Sequence, residues 1–395
     1  MYGEAWQSGM CLRQLNFSNP KQIMKKNTWI IWLLLAAFCM PSQAQVTFRK
    51  EEVKSIMQRV ADWQMDNFKP KREYGELDWT NGALYIGMMD WAELAERLDG
   101  TDRYYQWLVK LGKRNHWKMN KRMYHADDIT VGQCFIELYR KYKDEAMIAP
   151  VIERADYVVS HPSDGTFKLN YGNARSLERW TWCDALFMAP PVYAKLYTLT
   201  GDKKYLKFMN TEFRATYDSL YDKGAKLFYR DWRYIGKQEA NGKKVFWGRG
   251  NGWVIAGLAD ILKELPAKNK KDRKSYEELF RELSHSLATL QCEDGYWHAS
   301  LLDPASYPSP ETSATGFIVY GLAYGVNAGL LDRATYLPVI EKGWKALTDA
   351  VNEEGKLGYV QPIGADPQKV TKDMTSSYGV GAFLAAGCEI YKMAQ

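Results

Sequence analysis

Six short polar clusters hold the residues of this chain best suited to chemistry: LDWTNG (77–82), YHADD (124–128), RWTWCD (179–184), FWGRGNGW (246–253), SYPSPETS (306–313) and KDMTSSYG (372–379). Acids, amides and hydroxyls beside Trp and Tyr suit a sugar, whose C–H faces stack on rings while its hydroxyls need donors and acceptors. Asp184 follows Trp180 and Trp182, a setting that strips water from a carboxyl group and raises its pKa, as a general acid requires. Asp128 is the second candidate acid. Asp127 beside it fits the same pattern, and two close carboxylates hold one proton between them. Arg249 stands in W-G-R-G-N-G-W, where glycines permit close backbone approach and a guanidinium can grip a carboxylate through two bonds. The competing reading of Arg249 is an arginine tied to backbone carbonyls. Trp253 and Trp247 flank it, as site walls or as core, and His125 is either a substrate ligand or a hydrogen-bonding group near a helix cap. Asp, Asn, Ser and Thr are also favoured N-caps, so any one cluster could be a cap alone. Six clusters with Trp, Tyr and Arg alongside argue for a site.

The elements that must position these clusters repeat. Each cluster leads into a stretch of small and apolar residues with few charges, starting at Asn81, Asp128, Asp184, Asn251, Ser313 and Ser377. Before each lies a more charged, one-sided stretch: residues 47–68, 102–115, 145–159, 202–218, 271–290 and 333–350. A helix apolar all round is buried, whereas a one-sided helix lies outside. Six alternations close into a toroid, so the sequence predicts an all-α fold, an (α/α)6 barrel of twelve helices, over a single domain from 45 to 395. Pro190 and Pro191 fall in the third inner helix, where a kink or a first-turn position is expected. All six inner helices then point their N-termini to one mouth, where unpaired N–H groups and the helix dipole favour an anion.

Of the 395 residues 46% are apolar, which suits a globular core and excludes disorder or a coiled coil. Near the start, Lys25 and Lys26 precede the apolar run Trp29 to Phe38 and then Ser42-Gln43-Ala44. That pattern predicts a signal peptide within an N-terminal segment 1–44, cleavage near Ala44, and an exported, periplasmic protein without membrane insertion thereafter. Loss of that segment removes Arg13, Lys21, Lys25, Lys26 and Glu4, lowering the formal charge of +6 by three. A charge so small does not indicate a nucleic-acid partner. Cys134, Cys183, Cys292 and Cys388 form no C-x-x-C pair and read as free thiols. The five histidines show no H-E-x-x-H spacing, and neither a P-loop nor a dinucleotide fingerprint is present. No metal or cofactor is therefore expected, and the oligomeric state is not readable from the sequence.

DWTNGALY, the HADD-x-x-x-G cluster, RWTWCDALFMAPP and WGRGNGW together resemble the unsaturated glucuronyl and rhamnogalacturonyl hydrolases of glycoside hydrolase family 105, related to family 88. The resemblance runs from about Trp63 to the C-terminus. It implies that Asp184 matches the catalytic acid and that Asp128, by its D-x-x-x-G spacing, matches the second carboxylate. It further implies sugar contacts from Trp182, Arg249 and Trp253, and weaker ones from Asn81, Ser376 and Ser377. Where many relatives place a His after a Leu-Phe-Tyr run, this chain reads LFYRDWRY. Arg230 thus puts a permanent charge where a titratable ring would stand, which bears on the substrate preferred. The implied reaction removes a 4,5-unsaturated uronic acid from an oligosaccharide by protonation at C4 and hydration of the enol ether.

Three other readings remain open on the residues. A conventional inverting glycosidase would use Asp128 and Asp184 as base and acid. A polysaccharide lyase would want a base such as Tyr124 or His125. A non-catalytic sugar binder would need the aromatics and not the acids.

Overall fold

The computed structural model of the chain describes residues 47–70 and 74–395, and the expected signal peptide lies outside the described residues. Outer and inner helices alternate along the chain. They run outer α1 (Lys50–Asp66), inner α2 (Trp79–Asp99), outer α3 (Arg103–Arg114), inner α4 and α5 (Ala126–Ile129 and Gly132–Tyr142) and outer α6 (Ala149–Ser160). Next come inner α7 and α8 (Ala185–Met188 and Pro190–Thr200), outer α9 (Lys203–Leu220), inner α10 (Gly248–Glu264) and outer α11 (Lys270–Thr289). Inner α12 (Thr312–Asn327), outer α13 (Arg333–Asp349) and inner α14 (Ser377–Met393) complete the series. With α4/α5 and α7/α8 each forming one broken arm, the fold is the (α/α)6 barrel of twelve helical arms read from the sequence. Each inner arm packs on the next, and α14 packs on α2 to close the ring. Among the described residues no helix is long and apolar enough to cross a membrane.

Burial explains the two kinds of helix. In α12 every residue from Thr312 to Gly325 is buried, and in α10 every residue from Gly248 to Leu262, as helices enclosed on all sides require. Outer α13 instead buries Tyr336, Leu337, Ile340, Gly343, Trp344 and Leu347, a single stripe. Closure is tight where α2 meets α14. A Cβ on Gly87 would collide with the backbone of Gly381, and one on Gly381 with the carbonyl of Ala83, so only glycine permits this approach. The third inner arm breaks at Ala189, and Pro190 opens α8 at its first turn, where its missing N–H costs nothing.

The ends of the inner helices opposite the polar clusters are pinned by half-buried ions. Arg140 on α5 donates to both carboxylate oxygens of Glu264 on α10, each at 2.8 Å. Lys195 on α8 reaches Glu137 at 2.5 Å and Glu264 at 3.2 Å, and the Thr198 hydroxyl donates to Glu264 at 2.9 Å. Burial alone would raise the Glu264 pKa, but the Arg140 bonds and the Lys195 charge overcome it and pull it down to about 2. This stabilisation is present above the unfolded value of about 4.3 and is lost as pH falls toward 2. Glu264→Gln should therefore lower the unfolding free energy by about 2 kcal/mol at neutral pH, because Arg140 and Lys195 keep Glu137 and lose the more deeply set of their two acids. In urea titrations the gap from the parent should narrow between pH 5 and pH 2.

Candidate active site

Asp184 ends the loop that enters α7. The backbone of this loop pairs with the segment that follows a two-stranded hairpin, β1 (Tyr221–Asp222) and β2 (Leu227–Phe228). Cys183 N–H donates to the Arg230 carbonyl at 2.8 Å, and Trp182 and Asp231 form an antiparallel bridge. From inside the barrel, the Asn251 amide clasps Phe228, accepting from its N–H at 2.8 Å and donating to its carbonyl at 3.0 Å. These ties set Arg230 Nε 3.3 Å from Asp184 Oδ2. Arg230 Nη1 donates to the Tyr171 hydroxyl and to Asp231 Oδ2, each at 3.0 Å. Asp231 is fully buried, which alone would raise its pKa, but bonds from Arg233 and Arg230 hold it below the usual carboxylate range. The Arg230 Nε atom is buried without an aligned hydrogen bond, and Nη2 has no partner among the described residues.

Neighbours on α4 point about 100° apart, and this separates the two acids that the sequence could not. Asp128 is 2% exposed and spends its carboxylate on Arg122. Its Oδ2 accepts from the Arg122 N–H at 2.7 Å, and its Oδ1 accepts from Nε at 3.1 Å and Nη2 at 2.5 Å. Arg154 also donates to the Asp128 carbonyl at 3.1 Å. Asp128 thus closes the loop ahead of α4, and the structure gives it no free oxygen for a substrate. Asp127 is different. Its carboxyl has no hydrogen bond among the described residues, the approach to His125 Nδ1 being 3.7 Å. Burial pushes its pKa up to about 8 against the pull of Arg122, and the charges of Asp184 and Asp128 push the same way. Asp127 therefore holds its proton in the field of Asp184.

His125 caps α4 by accepting the Asp127 N–H on Nδ1 at 3.2 Å, so its proton sits on Nε2. Burial, then the Arg122 charge, lower its pKa to about 3 and keep the ring neutral. Its ring lies 4.9 Å from that of Trp182. Asp184, Trp182, His125 and Arg230 thus come together as expected, with Asp127 in the place expected for Asp128. Trp180 turns away to Tyr193 and Phe208.

Two expected sugar contacts prove to be core. Arg249 is fully buried, with Nη1 donating to the Gln361 carbonyl at 2.7 Å and Nη2 to the Pro362 carbonyl at 2.8 Å, between the rings of Trp247 and Tyr378. It ties α10 to the loop before α14, and its remaining Nε is buried out of reach of solvent. Trp253 is likewise buried, packed among Trp79, Phe187 and Phe317. Asn81 and Ser377 lie in the first turns of α2 and α14 and bond to each other, the Ser377 hydroxyl donating to Asn81 Oδ1 at 2.9 Å. With Ser376 they line a 440 Å³ cavity that also has walls from Phe68, Tyr74 and Ile363 but does not include Asp184 or Asp127. It shares the mouth, since all inner N-termini do. The sequence reading passed over Asp231, Arg233 and Tyr171. The alternation of Arg230, Asp231 and Arg233 in RDWRY was the available signal for a buried ion pair. Among the described residues, the group able to hold a metal is Cys292, Asp294 and His298, in the turn after α11 and outside this cluster.

The family model for Glycosyl Hydrolase Family 88 matches residues 49–394. The chain is 36% identical over 369 residues to an Unsaturated 3S-rhamnoglycuronyl hydrolase of Formosa agariphila, covering 91% of this chain and 96% of that protein. Among solved structures it is similar to a Glycosyl hydrolase family 88 protein from Bacteroides vulgatus, with 33% identity and a TM-score of 0.77, covering 88% of this chain and 100% of that one. It is also similar to a chain named as a polysaccharide lyase, with 37% identity and a TM-score of 0.77 over 87% of this chain and 97% of that one.

A carboxyl held protonated by burial weakens the fold as pH rises. The unfolded aspartate ionises near pH 4 while the folded one keeps its proton to about pH 8, so stability is full below pH 4 and drains between these values. Asp127→Asn removes that drain. Urea unfolding should find the variant more stable than the parent by about 1–2 kcal/mol at pH 7.5. The gain should be smaller at pH 5.

Proposed function

The chain belongs to glycosyl hydrolase family 88, and we propose that it removes a 4,5-unsaturated uronic acid from the non-reducing end of lyase-generated oligosaccharides. The observation that carries this reading is the coupling of Asp184 to a proton-holding Asp127 beside Arg230, whose Nη2 has no partner among the described residues. The substrate carboxylate would dock on Arg230, with the inner helix N-termini adding partial positive charge. The pair holds one proton, which rests on Asp127 and reaches C4 through Asp184. Positive charge develops at C5 and is shared by the ring oxygen. Water adds at C5 and passes a proton to Asp184, which thereby regains the one it lost. The ring oxygen then leaves C5 as a ketone forms. The hydroxyl so freed at C1 shares its carbon with the linking oxygen, and the next sugar departs as an alcohol.

Proton transfer and water suffice for every step, so we propose that no metal or cofactor takes part. His125 donates through Nε2 to a sugar hydroxyl, and Trp182 walls the pocket behind it. Because the Formosa relative is named for a rhamnoglycuronyl substrate, the substrate proposed is an unsaturated uronyl residue linked to rhamnose. The Lys25 to Ala44 pattern supports export to the periplasm. A lyase reading has the name of one solved relative in its favour, but His125, neutral with a pKa near 3, is a weak base for it.

Turnover is read as loss of the ultraviolet absorbance of the conjugated double bond. Asp184→Asn and Asp127→Asn should each lower kcat by at least about 10²-fold while the variants stay folded by circular dichroism. Asp128→Asn should lower kcat less than Asp127→Asn and lower the thermal midpoint instead. Undiminished turnover by Asp184→Asn sinks the mechanism, and the reverse order for Asp127 and Asp128 sinks the choice of second acid. Gain of absorbance from a saturated polysaccharide would establish the lyase.

A further inference from the structure

Beside the acid pair lies a face that the reaction at C4 does not use. Tyr171 is 59% exposed and Trp232 is 39% exposed, unusual for rings of this size. Both are fixed in place. The Tyr171 hydroxyl accepts from Arg230 Nη1 at 3.0 Å, its ring carries Arg233 at 4.8 Å, and Trp232 Nε1 donates to the Leu169 carbonyl at 2.9 Å. Exposed rings held at their edges present rigid apolar area at low entropic cost. The face is continuous with the site, because the guanidinium that holds Tyr171 also touches Asp184.

Lysines stand over two of its rings, and the Asp366 carboxylate accepts from the Tyr234 hydroxyl at 3.0 Å. Lys168 is exposed and stands over the Trp232 ring at 5.7 Å, and Lys237 is exposed over the Tyr234 ring at 4.6 Å. Neither lysine has an acidic partner among the described residues. The one carboxylate within the segment 230–235, Asp231, is fully buried and neutralised by Arg230 and Arg233.

We propose that Tyr171 and Trp232 form the platform on which the leaving saccharide rests, and that Lys168 makes this platform favour a saccharide bearing an anionic group. The proposal rests on the hydrolase reading above for the direction in which the substrate lies. Sugar C–H faces stack on the two rings, while the lysine ammonium meets the anion. The contact lies at the protein surface, so its charge component weakens with salt.

The test uses the full chain and separates binding from turnover. The probe for binding is the saturated, rhamnose-containing anionic oligosaccharide that remains after the unsaturated residue has gone, titrated by calorimetry and by Trp fluorescence. Tyr171→Ala and Trp232→Ala should each weaken it by roughly tenfold. Tyr171→Phe keeps the ring and loses only the hydroxyl held by Arg230, so its affinity should stay close to that of the parent. Lys168→Ala should weaken the anionic oligosaccharide and leave its neutral counterpart unaffected, and added salt should erase that difference. Equal affinity in the parent and both alanine variants overturns the platform, as does equal loss in Tyr171→Phe and Tyr171→Ala, which would make Tyr171 a positioning residue for Arg230. The hydrolase reading fails separately, when the parent does not consume the double bond.

Discussion

Closing six inner helices into one ring forces all their N-termini to one mouth and all their C-termini to the other. Nearly every charged feature of the molecule follows from that constraint. At the N-terminal mouth the helix ends present N–H groups and partial positive charge, so carboxylates cap them or sit among them. Asp78 caps α2 through Thr80 N–H, and Glu311 caps α12 through Ser313 and Ala314. At the far mouth the bias is reversed, and Lys and Arg side chains on inner arms reach acids such as Glu137 and Glu264. The barrel is thus polar at both ends for opposite reasons, and the end richer in N–H donors suits an anionic sugar.

Within the mouth, chemistry depends on which carboxylates are already spent. Asp231 is held by two guanidinium groups and Asp128 by one, so each serves as a fixed anchor. Asp127 has the same side chain on the same helix as Asp128, yet it faces a site with no donor of its own. A carboxyl buried without a donor keeps its proton, and the nearby charge of Asp184 reinforces this. The fold gives up stability at that position, as functional sites commonly do. The stability is supplied by the anchors around it.

The toroid was legible because its signal is long. A run without charges, repeated after a charged run, fixes inner and outer helices whatever the details, and the break at Pro190 is dictated by its own ring. The clusters were legible as the entries to the inner helices, but Trp and Arg beside a cap do not mean a site at WGRGNGW, whose Arg249 and Trp253 are core. Legibility stopped where direction matters. WGRGNGW names an arginine among glycines and cannot say whether its guanidinium turns outward to a ligand or inward to the carbonyls of Gln361 and Pro362, more than a hundred residues away in the chain. Asp127 and Asp128 are equivalent as letters and differ by one helical step. Arg230 could be noticed, but its place beside Asp184 depends on the pairing of Cys183 with Arg230, a contact between loops with no period to detect.

The exchange of roles between the two arginines has a chemical consequence. A histidine at the position of Arg230 would lose its charge near neutral pH, and the hold on a substrate carboxylate would fade with it. A guanidinium keeps its charge throughout, and here Asp184 and Asp231 push its pKa higher still against the cost of burial. In the proposed function, carboxylate recognition would then stay constant with pH, and the acid limb would be left to the Asp127–Asp184 pair. Since Asp127 holds its proton to about pH 8, the pair would keep a proton for the proposed step at C4 across the neutral range. An anchor that does not titrate beside an acid that titrates late would suit the proposed enol ether, because its protonation and its binding must hold at the same pH.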